Sequence, residues 1–116
     1  MNLDESIERH AEWKTRLRGA IARQETLDAA RIARHDACEL GQWLKGAGRA
    51  QHGGCEEFRR VCEQHQAFHV EAGPVAELIN AGRLQEAESQ LAAGSDYSRQ
   101  STAVATALRA LRRRTG

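Results

Sequence analysis

The stretch at residues 55–72 constrains the fold most strongly, because its apolar residues recur at intervals of three and four positions. That spacing places them on one face of an α-helix, while charged and amide side chains occupy the other face. The members of this stripe are Phe58, Val61, Cys62, His65, Phe68, His69 and Ala72. The pattern predicts a helix that buries one face, with two histidines in the middle of the buried stripe.

The first half of the chain is also predicted to be helical. Residues that favour helices, chiefly Ala, Arg, Glu, Gln and Leu, dominate a composition with one proline. Periodicity predicts a long first helix over residues 3–31, with His10 on its apolar face. A second, shorter helix is expected to begin at a cap on Asp36 and to run through Cys38 to about Lys45. Glycines then mark a loop over residues 46–54.

The second half of the chain is predicted to contain a bent helix and two more. A glycine and Pro74 are expected to kink or end the helix of residues 55–72, and helix continues over residues 75–81. A short helix over residues 83–92 and a final helix capped by Ser95 follow. The final helix carries a narrow, alanine-rich seam that could pack within the chain or against a partner chain. The positions of this seam, spaced as in a heptad, are Tyr97, Ser101, Val104, Leu108 and Leu111.

The length and charge of the chain narrow the class of protein. A chain of 116 residues is expected to form one domain over residues 1–116. We therefore predict a single all-α domain, a bundle of four main helices with one or two short extra helices. The net charge of +1 gives no electrostatic reason for binding nucleic acid or an anionic membrane. No stretch is apolar enough to span a bilayer, and the acidic N-terminus does not resemble a signal peptide, so a cytoplasmic location is expected.

The histidines and cysteines suggest a metal site. Three cysteines are an odd number, and without a secretory signal they are expected to be reduced. His65 and His69 lie four residues apart and can hold one ion from one helix face. Two hydrogen-bonded core histidines would explain that pair equally well. His10 and Cys38 offer matching ligands from the other helices, and such a set could close a tetrahedron around one Zn²⁺. A closed site leaves no position for a substrate, so we expect no enzymatic activity.

Other polar residues have competing interpretations. Cys62, on the same face as His65, could replace Cys38 as a ligand, although a small buried apolar role suits it better. Cys55 is expected to be an ordinary exposed thiol. His35 and His52 lie in polar surroundings and are expected to be solvated.

Four further residues are predicted to surround the metal site. Asp36 could cap the second helix or hydrogen-bond a ligand imidazole. The absence of a side chain at Gly41 would let another helix or the metal approach closely. Trp13 and Trp43 would enclose the site in apolar surface and exclude water.

Three separated motifs resemble the chemoreceptor zinc-binding (CZB) domain family. They are His10-x-x-Trp13, then Cys38-Glu39-Leu40-Gly41-Gln42-Trp43, then His65-x-x-x-His69. The resemblance runs from about residue 7 to residue 113 and includes the stretch FHVEAGPVAELINAGRLQEAE and the final helix. It implies a helical bundle that pairs as a homodimer and binds one zinc ion through His10, Cys38, His65 and His69.

The resemblance also implies a role in bacterial signalling and chemotaxis. Domains of this family occur at the cytoplasmic ends of chemoreceptors, beside diguanylate cyclase domains, and as free-standing proteins. Met1 lies shortly before the first motif and no signalling domain follows, so we expect a stand-alone member or a fragment with a signalling partner protein. The zinc-bound thiolate of Cys38 would be a redox switch responding to hypochlorous acid, or zinc occupancy itself would be the signal.

Two alternatives belong to other classes of protein. A zinc-stapled dimerisation module with a purely structural role would unfold globally on zinc removal, whereas a sensor would stay largely helical. A di-iron helical bundle also uses paired histidines, but it needs an ExxH motif that the first helix lacks.

Overall fold

The computed structural model describes residues 2–36 and 38–115, which form helices and no strand; Met1, Ala37 and Gly116 lie outside the described residues. The all-α class predicted from the sequence is confirmed. The helices in these ranges are α1 (Leu3–Arg23), α2 (Ala29–Ile32), α3 (Glu39–Lys45), α4 (Ala47–His52), α5 (Glu56–Asn80), α6 (Leu84–Leu91) and α7 (Asp96–Thr115).

The predicted first helix is too long, because α1 ends at Arg23. Gln24 adopts a left-handed conformation with φ of 55°, and its N–H bonds the carbonyl oxygens at the end of α1. This conformation stops the helix although no glycine or proline marks the position. The chain then turns, and Leu27 exchanges two hydrogen bonds of 2.7 Å with the side chain of Asn80 on α5. The separate helix α2 follows, held against α5.

The region between α2 and α5 differs from its prediction in two ways. Cys38, not Asp36, is the N-cap of α3, because its sulfur accepts the N–H of Gly41 at 3.3 Å. The glycine-rich residues 46–54 are not all loop, since α4 lies within them. Gly48 lets α4 pack closely against Trp43, because a Cβ at this position would be 2.8 Å from the ring and the carbonyl oxygen of Trp43.

Helix α5 is continuous through Pro74, so the glycine–proline pair does not end it. Pro74 lies on the exposed side of the helix, where water can satisfy the carbonyl that loses its N–H partner. The helix ends as predicted near Gly82, which has φ of 76°. The N–H of Arg83 reaches the carbonyl oxygen of Leu78 at 2.9 Å, which is the six-to-one bond of a Schellman turn.

The core lies where α5 packs against α7, with α1 and α6 completing the bundle. The seam predicted on α7 faces this core, and four of its five residues are buried within the chain. The predicted cap of α7 is confirmed, because the hydroxyl of Ser95 accepts the N–H of Ser98 at 3.1 Å. The largest fully buried apolar side chains are Tyr97, Phe58, Phe68, Leu17, Leu91, Leu108 and Leu111. No helix in the described ranges has the length and apolar character needed to cross a membrane.

Candidate metal centre

Three helices of the fold bring the four predicted ligands together at one end of the core. His65 and His69 lie on the buried face of α5, one turn apart, and each is 1% exposed. His10 comes from α1 and is 5% exposed. Cys38 stands at the start of α3 and is half-buried. The periodicity of α1 and α5 places the histidines, whereas the cap of α3 places the cysteine.

Three of the four candidate ligand atoms form a small triangle. The Cys38 Sγ lies 3.2 Å from His65 Nε2 and 3.7 Å from His69 Nε2, and the two Nε2 atoms are 3.1 Å apart. Tetrahedral zinc, with Zn–N bonds of about 2.0 Å and Zn–S bonds of about 2.3 Å, holds its ligand atoms roughly 3.3–3.6 Å apart. The triangle therefore has the dimensions of one face of a zinc site.

His10 approaches the same point from the opposite helix. One ligand atom from each of His10, His65 and His69 lies within 4.8 Å of the other two. Neither ring nitrogen of His10 has a hydrogen-bond partner among the described residues. A buried imidazole without a partner costs free energy, and coordination of a metal would remove that cost. Cys38 is not a member of this set of three, so an ion would have to draw His10 and Cys38 together.

The hydrogen bond of His69 orients its free nitrogen towards the other ligands. Its Nδ1 lies 2.7 Å from the carbonyl oxygen of Ile32 at the end of α2. A carbonyl oxygen can only accept, so Nδ1 carries the hydrogen and Nε2 keeps its lone pair. This is the arrangement that a metal-binding histidine needs, and it was not foreseen from the sequence.

Burial keeps the imidazoles neutral. It lowers the pKa of His10 to about 3 and that of His65 to about 2, and the neighbouring histidines add to both effects. Burial also lowers the pKa of His69, although its bond to Ile32 opposes the shift. Neutral imidazoles offer the lone pairs that zinc requires. Burial raises the pKa of the Cys38 thiol, so a metal would have to displace its proton.

Of the two tryptophans predicted to enclose the site, Trp13 contacts a candidate ligand and Trp43 packs elsewhere. Trp13 packs edge-on to His69, with 6.3 Å between ring centres. Trp43 packs instead against His52 and Phe58, each at 6.1 Å, and in the described ranges its ring contacts include none of the four ligands.

Gly41 and Asp36 do not have the roles predicted for them. A Cβ at Gly41 would lie 1.8 Å from the carbonyl oxygen of His35, so the close approach among the described residues is made by the preceding loop and not by another helix. The Asp36 carboxylate is bound to Arg34 at 3.2 Å and to Lys45 at 3.7 Å, and its partners among the described residues include no ligand imidazole.

Among the remaining histidines and cysteines, His35 and Cys55 differ from their predictions, whereas Cys62 agrees with its prediction. His35 is half-buried, and its ring centre lies 6.4 Å from that of His65, so it borders the site. Cys55 is not an ordinary exposed thiol, because its sulfur caps α5 by accepting the N–H of Phe58 at 3.4 Å. Cys62 packs half-buried against the apolar core, which agrees with the apolar role preferred for it.

Two surface cavities lead to the thiol. One has a volume of about 260 Å³ and is lined by both His10 and Cys38. The other, of about 460 Å³, is lined by Cys38 and His69. Trp13 and Arg16, like Cys38, line both cavities. Small molecules can therefore approach the sulfur from two sides.

The donor set suits zinc better than a di-iron centre. Imidazole nitrogens and one thiolate in a tetrahedral arrangement suit Zn²⁺, whereas a di-iron site needs bridging carboxylates. Within the described residues, the one group of three or more potential ligands consists of histidines alone. Bound zinc would hold Cys38 as a thiolate at neutral pH.

The comparison with known families agrees with this geometry. Residues 10–76 match the family model described as the chemoreceptor zinc-binding domain, over more than half of the chain and with all four candidate ligands included. The match ends within α5, so it does not extend to α6 and α7. No curated protein and no solved structure is significantly similar to this chain. The chain belongs to the chemoreceptor zinc-binding domain family.

Proposed function

We propose that the chain binds one Zn²⁺ through His10, Cys38, His65 and His69 and acts as a non-enzymatic regulatory domain of bacterial signalling. The observation that carries the proposal is the triangle of Cys38 Sγ, His65 Nε2 and His69 Nε2, with edges of 3.1–3.7 Å. The two ring nitrogens of His10, which have no hydrogen-bond partner among the described residues, support it. The family of the chain supports zinc as the metal.

We further propose that Cys38 is a redox switch for hypochlorous acid. The thiolate sulfur attacks the chlorine of HOCl, which breaks the O–Cl bond and forms a sulfenyl chloride and hydroxide. Water then replaces chloride, giving a sulfenic acid, a proton and Cl⁻. The sulfur loses two electrons and the chlorine gains them. A sulfenic acid is a weaker ligand than a thiolate, so the site loses one of its four donors.

The position of Cys38 allows its oxidation to change the structure. Its sulfur caps α3, a helix of seven residues, and also contacts both histidines of α5. Loss of those contacts frees the start of α3, while the apolar core between α5 and α7 stays in place. The two cavities beside Cys38 give a small oxidant access to the sulfur. The region around α3 is therefore the two-state element of the proposed switch.

Zinc-loaded protein treated with sub-stoichiometric hypochlorous acid should be oxidised first at Cys38 and should release its zinc in proportion. Peptide mass spectrometry identifies the oxidised residue, and a chromophoric chelator measures the released metal. The far-ultraviolet circular dichroism should keep most of its helical signal, because the core does not depend on the metal. The Cys62→Ser variant should behave like the wild type.

Two results would contradict this mechanism. Oxidation of Cys55 or Cys62 before Cys38, with zinc still bound, would show that Cys38 is not the switch. Global loss of helix on zinc release would identify the metal as a structural staple, which is the alternative function.

We also propose a cytoplasmic homodimer that signals through a partner of the chemoreceptor or diguanylate cyclase type. The support is the family resemblance. If zinc occupancy rather than oxidation is the signal, chelation alone should produce the same rearrangement of α3 as hypochlorous acid.

A further inference from the structure

The larger of the two cavities, between α1, residues 24–28 and α2, has a lining of mixed character. Its volume is about 460 Å³, and Cys38 and His69 form part of its wall. An indole ring and aliphatic side chains supply its apolar surface. These are Trp13, Leu17, Leu27 and Ile32. The cavity can therefore contact an apolar group as well as the metal centre.

Positive charge predominates around this cavity. Four arginines and two acidic residues line it, an excess of two positive charges that falls to one when Asp36, the partner of Arg34, is included. Arg23 is paired with Glu25, and Arg34 is paired with Asp36. Arg16 and Arg31 have no carboxylate within 4.0 Å among the described residues. These two guanidinium groups are available to an anion.

The smaller cavity shows that the positive excess is local. Its charged lining consists of two arginines and two glutamates, so the charges cancel. Arg9 there is ion-paired with Glu39. Arg16, which borders both cavities, has its guanidinium carbon 4.5 Å from the centre of the Trp13 ring. Stacking on the indole restricts this side chain before any ligand arrives.

We propose that the larger cavity binds a small organic carboxylate, a ligand separate from the zinc ion. Arg16 and Arg31 bind the carboxylate group, since a guanidinium matches it with two parallel hydrogen bonds. Trp13 and Ile32 contact the apolar body of the ligand. An organic carboxylate fits the lining better than inorganic phosphate, because phosphate would leave the apolar part of the cavity wet.

Titration of zinc-loaded protein with benzoate tests the site. The two indole N–H signals in a ¹H–¹⁵N correlation spectrum, assigned with Trp13→Phe, report on the cavity and on a distant control. We expect a saturable shift of the Trp13 signal and little change at Trp43, which packs against His52 and Phe58. Arg16→Gln with Arg31→Gln should raise the benzoate Kd at least about tenfold.

The matched control is Arg109→Gln with Arg113→Gln, which removes the same charge from exposed positions of α7 outside the cavity. This pair should change the Kd by less than about twofold, and neutral benzamide should not give a saturable shift. Three results would overturn the proposal: an equal loss of benzoate affinity in both double variants, no saturable shift with benzoate, or binding of inorganic phosphate as tight as that of benzoate. Zinc content, measured in each sample, distinguishes this failure from a failure of the zinc site.

Discussion

Replacing Cys38 by serine should lower the zinc affinity of the chain by at least about 100-fold. Loss of a residue that only supports a metal ligand typically costs about 10–100-fold in affinity, so loss of a ligand should cost more. Serine keeps a group that can cap α3, but its hydroxyl is a poor zinc donor beside three neutral imidazoles. Competition with a chelator of known affinity measures the change.

The matched control is Cys62→Ser, which makes the same replacement of sulfur by oxygen on α5. Cys62 packs half-buried against the apolar core, so we expect a modest loss of stability and a zinc content of one ion per chain. Loss of zinc in Cys62→Ser with normal zinc binding in Cys38→Ser would show that Cys62, and not Cys38, is the ligand.

Replacing Gly41 by alanine should destabilise the protein and weaken zinc binding together. The added Cβ would lie 1.8 Å from the carbonyl oxygen of His35, 2.9 Å from its carbonyl carbon and 3.0 Å from the Cα of Asp36. All three are backbone atoms, so α3 or the preceding loop must move. Such overpacking typically costs about 1–3 kcal/mol. The movement also displaces the N–H of Gly41 from Cys38 Sγ.

Gly54→Ala is the control for this substitution, because a Cβ there meets nothing within 4 Å. It should leave both the melting temperature and the zinc affinity close to those of the wild type. Thermal unfolding and chelator competition measure the two effects in each variant. An unchanged zinc affinity in Gly41→Ala would show that the cap of α3 does not position the sulfur.

The histidines of α5 could be predicted from the sequence because their environment is local. The spacing of Phe58, Val61 and Phe68 fixes one face of the helix, and His65 and His69 must share it. The structure buries all five. Tertiary contacts alter only how long the helix runs, and here they carry it through Pro74 to Asn80.

The segment between α1 and α5 could not be predicted in the same way, because its conformation depends on contacts with distant residues. The Asn80 side chain hydrogen-bonds the backbone of Leu27, which lies 53 positions earlier in the sequence. The end of α1 depends on the left-handed conformation of Gln24, which is uncommon for a residue other than glycine. Such features leave no periodic signal in the sequence.

The surroundings of the metal site were the least predictable part. Side chains that cap helices are usually Ser, Thr, Asp or Asn, so Asp36 was the natural cap for α3. In the structure the Cys38 sulfur is the cap, and the Asp36 carboxylate forms ion pairs with Arg34 and Lys45. The sequence pattern does not show that Cys38 caps the helix and faces the histidines. Its selection over Cys62 therefore depended on the family resemblance.

X-ray absorption spectroscopy at the zinc edge tests the central claim most directly. The zinc-loaded wild type should show one sulfur at about 2.3 Å and three nitrogens at about 2.0 Å. The sulfur shell should disappear in Cys38→Ser and persist in Cys62→Ser. Two sulfur ligands in the wild type, or a sulfur shell that remains in Cys38→Ser, would contradict a site built from His10, Cys38, His65 and His69.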